Sequence, residues 1–398
     1  MADTRFAGVL DAARALQPKT VALRRELHRH PEQGLGVPRT QAAVLRALEG
    51  LDLRVSTGES VGSVVAVLEG ARPGPAVLLR GDMDALPLEE ATDLPFASQV
   101  AGSMHACGHD SHVAMLASAA RLLHDRRSEL RGSVVFMFQP GEEGHHGARF
   151  MLEEGLLGVA PVESAFALHI TSTEASGVLR CRPGPIMAAA DVFTVTVTGR
   201  GGHASAPADA LDPVPAAAAM VGALQTVITR RISVFEPTVL TVARISAGTT
   251  NNIIPETAEL EGTLRTLSEP ARTRLLAELP EICAHVAATY GCTARVDITT
   301  GYPVTVNDAA QADKVTAVGR DLLGERNSTV MANAIMGSED FSYVLNEVPG
   351  ALAFLGACPP GQDPATTAPN HSNRVQFDES AFPHGVGTYA AFALDALR

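Results

Sequence analysis

Tryptophan is absent from the 398-residue chain and aromatic residues make up only 4% of it, which argues against a surface that stacks nucleic-acid bases on exposed rings. A basic excess is missing as well. Lys and Arg number 31 against 44 Asp and Glu, a formal net charge of −13, so no electrostatic nucleic-acid footprint is expected. Membrane-length apolar runs are lacking. The most apolar long stretch, Val214–Ile228, is broken by Pro215 and Gln225, is too short to cross a bilayer, and reads as a buried helix. Met1–Arg14 carries Asp3 and Asp11 and no apolar centre, so no signal peptide is expected there. Cysteines are few: Cys107, Cys181, Cys283, Cys292 and Cys358 are odd in number and scattered, which speaks against a disulfide framework and for a reducing, cytoplasmic setting.

What is present is ordinary globular composition, 46% hydrophobic and 19% charged, at a length that suits two domains or one domain carrying an insertion. Helices are expected over Thr20–Arg29, Pro38–Leu48 and Ser111–Leu123. Short apolar runs bounded by Gly, Pro or charge at Val64–Leu68, Ala76–Leu79, Val134–Phe138 and Ala165–Ile170 read as buried strands. Strands alternating with helices imply an α/β fold with a mostly parallel sheet, whose chemistry sits at the carboxyl ends of the strands.

The middle of the chain differs. A strand at Asp191–Thr198, a helix at Pro213–Thr229, strands at Val239–Ile245 and Ala258–Leu267, a helix at Ala271–Tyr290 and a strand at Ala294–Thr299 follow the order β-α-β-β-α-β of a ferredoxin-like unit. An inserted domain over 188–302 is therefore expected, with 1–187 and 303–398 forming the main domain. The α/β pattern then resumes with helices at Ala309–Leu323 and Glu339–Leu345, a strand at Ala351–Leu355 and a helix from Ser380. Pro359–Pro369 reads as a mobile loop.

Four clusters carry chemistry. His105-Ala-Cys107-Gly-His109-Asp110-Ser-His112 places a thiol and an imidazole one residue apart at a strand-to-helix junction, a donor pair suited to zinc-like ions. A Gly-rich turn capped by Asp110 is the alternative. Gln139-Pro-Gly-Glu142-Glu143-Gly follows a strand. Adjacent carboxylates point different ways, so one can bind metal while the other faces a water, and a solvated acidic turn has the same pattern. His169 lies inside an apolar strand, as a core histidine would. His371 sits in Asn370-His-Ser-Asn373, after the polar loop.

Together these stretches resemble the M20 family of metallo-amidohydrolases, in the branch of hippurate hydrolases and indole-acetyl-amino-acid hydrolases. The matching segments are RRELHRHPE (24–32), RGDMDALP (80–87), MHACGHDSHVAML (104–116), FQPGEEG (138–144), LHI (168–170), GRGGHASAP (199–207), NNIIPETAELEGTLR (251–265), GSEDFS (337–342) and NHSN (370–373), in family order. The resemblance implies a two-metal hydrolase domain with an inserted ferredoxin-like lid that also dimerises. It implies two divalent ions (zinc, manganese, cobalt or nickel) on Cys107, His109, Glu143, His169 and His371, with Cys107 bridging, Glu143 and His371 completing one site, and His109 and His169 the other. Asp84 would orient a ligand, and Glu142 would be the base. His203 of the lid would stabilise the oxyanion from the partner subunit of a homodimer, or within a tetramer. Asn252 and Arg265 would grip the substrate carboxylate. The wider superfamily has His where Asp82 stands and Asp in place of Cys107.

The implied reaction is hydrolysis of N-acyl amino acids with acetyl, benzoyl or aryl-acetyl groups, with no nucleic-acid or membrane partner. A dipeptidase or carboxypeptidase of the same architecture is the rival reading, and a non-catalytic metal-binding protein the third. His28, His30 and Glu32 are read as structural around a helix end, His112 as packing inside or supporting the site, and His145 and His146 as outside it.

Overall fold

The computed structural model describes residues 6–398; Met1–Arg5, part of the segment read above for a signal peptide, lie outside the described residues. In chain order the elements are α1 (Val9–Arg29), α2 (Pro38–Leu48), β1 (Arg54–Thr57), β2 (Val64–Glu69), β3 (Arg72–Asp82), α3 (His109–Asp125), β4 (Arg131–Gln139), α4 (Gly147–Glu153), β5 (Val162–Thr171), β6 (Leu179–Cys181) and β7 (Gly184–Met187). Then come β8 (Ala189–Thr198), β9 (Gly202–His203), α5 (Pro213–Arg231), β10 (Thr238–Ala247), β11 (Ile253–Ile254), β12 (Thr257–Thr266), α6 (Glu269–Thr289) and β13 (Thr293–Thr300). The last are β14 (Thr305–Asn307), α7 (Ala309–Leu323), β15 (Ser328–Val330), α8 (Ser342–Glu347), β16 (Gly350–Gly356) and α9 (Phe382–Ala396).

The chain divides into two compact units. Of the described residues, the first holds 6–184, 306–333 and 340–398, and the second holds 185–305 and 334–339. The short piece 334–339 belongs with the second because the amide of Ile335 donates to Ile186 O and that of Ala188 to Gly337 O.

The first unit is built on an eight-stranded sheet in the order β1-β2-β4-β3-β5-β16-β6-β15. Its centre is parallel, β4 with β3, β3 with β5 and β5 with β16, while β1 and β2 add on antiparallel. The central strands are buried on both faces, so they read as continuous apolar runs rather than alternations. Helices α1, α3 and α9 pack on one another. Phe166 of β5 stacks on Phe392 of α9 at 4.8 Å between ring centroids and meets Tyr389 edge-on at 5.5 Å. All three are fully buried, each contributing roughly 1.5–3 kcal/mol by leaving water.

Several boundaries move from their sequence expectation. Helix α1 starts at Val9 rather than Thr20 and carries Pro18 inside it. The proline costs one ladder hydrogen bond, and burial of Val9 and Ala13 on the same helix outweighs it. Helix α8 starts at Ser342 rather than Glu339, because Asp340 spends its carboxylate on Arg80, Gln139 and the amide of Ala148. Gly108 holds the cap position of α3 in a left-handed conformation at φ 86°, and Asp110 lies in the first turn, where its carboxylate accepts the Ser111 amide at 2.8 Å. The 359–369 loop is a succession of turns tied through Gln362 and Asp363.

The second unit has a four-stranded antiparallel sheet in the order β10-β12-β8-β13. The alternating burial of β8 and β12 turns Phe193, Val195, Val197, Leu260 and Leu264 onto the inner faces of α5 and α6. Helix α5 buries one face only, through Ala216, Ala217, Met220, Leu224 and Val227.

Candidate metal centre

Four parallel strands deliver the donor residues of the first unit at their carboxyl ends. The segment after β3 carries Cys107 and His109, the turn after β4 carries Glu142 and Glu143, β5 carries His169, and the loop beyond β16 carries His371. Cys107 Sγ lies 3.4 Å from His169 Nε2 and 3.3 Å from His371 Nε2. Glu143 Oε1 is 3.3 Å from His371 Nε2 and 4.0 Å from His109 Nε2. Two overlapping groups result, Cys107–His109–His169 and Cys107–Glu143–His371, each with its donor atoms within 4.8 Å of one another. All five residues expected as ligands are thus brought together.

The local backbone explains how. Gly108 can hold its left-handed turn, and a Cβ there would come within 2.4 Å of Ile170 Cγ2. His371 itself has φ 69°. Its amide donates to Ala106 O at 2.8 Å, while Asn370 Nδ2 donates to the carbonyls of Cys107 (3.2 Å) and Ile170 (3.0 Å).

Ring orientation is set by hydrogen bonds on the far nitrogens. His109 Nδ1 meets Asp84 O at 2.8 Å, and His169 Nδ1 meets Ile170 O at 2.8 Å. A carbonyl only accepts, so both Nδ1 atoms carry the proton and both rings turn Nε2 toward the Cys107 sulfur. Nε2 of His109 is buried without a hydrogen-bond partner, its nearest carboxylate oxygen being Asp82 Oδ2 at 3.4 Å.

The electrostatics are uneven. Burial disfavours a charged His109, yet Asp82 and Cys107 beside it raise its pKa well above the usual imidazole range. Hydrogen bonds to Cys107 and Glu143 raise His371 to about 10. Burial, with His112 adding to it, pushes His169 well below and keeps it neutral. The Cys107 sulfur, the carboxylates and the buried imidazoles gather several donor atoms in one pocket. An orphaned Nε2 among soft and borderline donors fits divalent ions of the zinc type.

Asp84 contacts His109 through both its backbone and its side chain, its carboxylate lying 3.6 Å from His109 Nδ1. Its backbone carbonyl orients His109, while its carboxylate accepts the amides of Glu142 (2.8 Å) and Glu143 (3.0 Å). Glu142 is buried with Oε2 4.0 Å from His109 Nε2. His28, expected to be merely structural, is buried between Asp110 (2.8 Å) and Glu90 (3.3 Å), and Arg24 joins Asp110 at 2.8 Å. Glu32 accepts the amides of Arg39 and Thr40 and so caps α2.

The remaining expected residues lie in the second unit. His203 and Asn252 come together around a cavity of about 440 Å³ lined also by Gly201, Gly202 and Ile253. His203 pairs with Ile253 across β9 and β11, and its Nδ1 accepts the Ser205 amide at 3.0 Å. Arg265, on β12, is not part of that cavity; its guanidinium donates to Met336 O at 3.2 Å.

Fold and site together define a metal-dependent hydrolase. The chain matches Peptidase family M20/M25/M40 over residues 78–395 and belongs to that family. It is 37% identical to thermostable carboxypeptidase 1 of Saccharolobus solfataricus, with 96% of each chain covered. It is 36% identical to the N-acetylcysteine deacetylase of Bacillus subtilis, covering 87% of this chain and 90% of that one. Among solved structures, the Bacillus subtilis YXEP protein, a dinuclear metal-binding peptidase from the M20 family, superposes with a TM-score of 0.83 at 31% identity, covering 96% of this chain and 99% of that one. Among the described residues no helix is long and apolar enough to cross a membrane.

Proposed function

We propose that the chain hydrolyses the amide bond of small N-acyl amino acids at a centre of two divalent ions. Cys107, Glu143 and His371 would hold one ion, and Cys107, His109 and His169 the other. The observation that carries this reading is the Asp84 carboxylate holding the amides of Glu142 and Glu143 at once. That grip fixes the turn so that both neighbouring carboxylates reach within 4.0 Å of His109 Nε2, with Glu143 also 3.3 Å from His371 Nε2.

When bound, the ions supply Lewis acidity and an activated water. Glu142 accepts the proton of the attacking water and returns it to the departing amine, a contribution of roughly 10²- to 10⁴-fold. The other residues hold position. Asp84 fixes the Glu142–Glu143 turn, and the carbonyls of Asp84 and Ile170 fix the two imidazoles.

In this reading the second unit is a lid and dimerisation domain. His203 of the partner subunit donates to the developing oxyanion, and Asn252 and Arg265 grip the substrate carboxylate. Support comes from the exposed ring of His203 sharing one cavity with Asn252. The Met336 carbonyl already occupies part of the Arg265 guanidinium and leaves other donors for a carboxylate. A cytoplasmic setting is supported by the five cysteines, all free and buried.

A carboxypeptidase reading has the 37%-identical relative in its favour. The test is amine release from acetyl, benzoyl and indole-acetyl amino acids and from dipeptides, after loading with zinc, manganese or cobalt, with Glu142→Gln as the blank. Turnover of the acyl amino acids by wild type alone is expected. Cleavage restricted to dipeptides would move the chain to the peptidase reading, and wild-type rates in the variant would remove Glu142 from the base role.

A further inference from the structure

His112 is not among the expected ligands, yet it is fully buried and nearly touches one. Its ring lies 4.9 Å from that of His169. Nε2 of His112 receives the amide proton of Ile170 at 2.7 Å. An N–H donor requires a bare nitrogen opposite it, so Nε2 is unprotonated and Nδ1 carries the proton. Nδ1 accordingly donates to Asp82 Oδ1 at 2.5 Å.

Asp82 is itself fixed. Burial opposes its ionisation, and Arg80 with His109 and His112 overcomes that opposition and keeps it a carboxylate. Arg80 Nη1 stands 2.7 Å from Asp82 Oδ2, and the same guanidinium reaches Gln139 (2.8 Å) and Asp340 (3.2 Å). The Asp82–His109–His112 cluster has metal-like spacing, but this guanidinium already sits on its carboxylate as the cation.

Ile170 is where the chain of contacts meets the centre. Its carbonyl accepts from His169 Nδ1 at 2.8 Å and from Asn370 Nδ2 at 3.0 Å, and Asn370 also holds the Cys107 carbonyl. The backbone rotation of this one residue therefore sets where His169 aims its Nε2.

We propose that His112, held by Asp82 as the Nδ1–H tautomer, is a positioning residue that pins the Ile170 backbone and so aims His169 at the ion it shares with Cys107 and His109. The inference rests on the two-ion reading of the centre.

The probe is cobalt(II), titrated into metal-stripped full-length protein and followed by the thiolate-to-cobalt charge-transfer band and the visible ligand-field bands. Wild type is expected to take two equivalents. His112→Phe keeps a ring but removes the acceptor for the Ile170 amide. One of its two equivalents should bind about 10- to 100-fold more weakly, the usual effect of losing a group that orients a metal ligand. The other equivalent, on Cys107, Glu143 and His371, should keep the thiolate band. His112→Gln places an amide oxygen where Nε2 stood and should recover affinity to within several-fold.

Two tight equivalents in His112→Phe would overturn the proposal. A wild type that never develops a thiolate band would instead overturn the two-ion reading beneath it. Should His112→Phe fail to fold, the tautomer decides: ¹⁵N-histidine spectra of wild type, with His112 assigned through His112→Gln, should show a protonated Nδ1 and a bare Nε2. The opposite tautomer would refute the pinning role.

Discussion

Asp84 touches the two halves of the centre through different atoms: its carbonyl oxygen takes the Nδ1 proton of His109 at 2.8 Å, and its carboxylate takes the amide protons of Glu142 and Glu143. A loop after β3 thereby controls both a histidine on α3 and a turn after β4. Asp84→Asn should leave the His109 hydrogen bond, which is to the backbone, and turn an NH₂ group toward one of the two amides. The facing donors should cost roughly 1–3 kcal/mol. We expect kcat to fall and the ion on the Glu143 side to bind more weakly, because one turn carries both Glu142 and Glu143. Parallel measurement of kcat and bound metal checks this, and wild-type values of both would contradict it.

Cys107 is within 3.4 Å of both His169 and His371, so its removal affects both ion positions. Cys107→Ala should release both equivalents on dialysis against a weak chelator that leaves wild type loaded. Unchanged metal content would count against a bridging sulfur.

Arg80 is a fully buried cation between Asp82, Gln139 and Asp340, with its guanidinium 5.7 Å from the Phe341 ring centroid. Arg80→Met keeps the stem and deletes the charge, leaving two buried carboxylates without their shared cation. A destabilisation of about 3–5 kcal/mol is expected. It would be read as a lowered urea midpoint at constant slope, and an unshifted midpoint would show the network to be unimportant for folding.

Two cysteines outside the centre give a pH signature. Burial pushes the thiols of Cys181 and Cys283 up to about 12 from a usual value of 9.0. Below pH 9 both are neutral folded or unfolded and contribute no pH dependence. Between 9 and 12 the unfolded chain releases these protons while the folded chain keeps them, so stability falls as pH rises, by up to about 1.4 kcal/mol per pH unit for each thiol. Urea unfolding from pH 8 to 11 should show a shallower decline in the Cys181→Ala/Cys283→Ala double variant than in wild type.

The expected elements that landed on their observed bounds are those with a local start signal. Helix α2 begins at Pro38, whose missing N–H costs nothing there, and α7 begins after Asp308, which accepts the Gln311 amide. Strands β1, β6 and β15 went unread because three or four residues are too few to display a period. In the site, thiol, imidazole and carboxylate positions were legible through their motifs. The supports were not, because they run through backbone atoms and distant partners. Nothing in the letters Ile170 or Asp84 announces that a carbonyl there turns a histidine, and Gln139 finds Asp340 201 positions away. His28 looked like part of a helix end because its carboxylate partners, Glu90 and Asp110, come from segments 62 and 82 residues on.

The separation of Cys107 from His371, 264 residues along the chain, also fixes an order of events during synthesis. The sulfur leaves the ribosome long before the imidazole and the closing strand β16 exist, so the nascent chain carries an unfinished claw. Assembly of the full donor set is then a late act, waiting on β16 and the His371 loop. Until then Cys107 is a bare thiol in the cell, and oxidants have their best opportunity on the newborn protein rather than on the finished one.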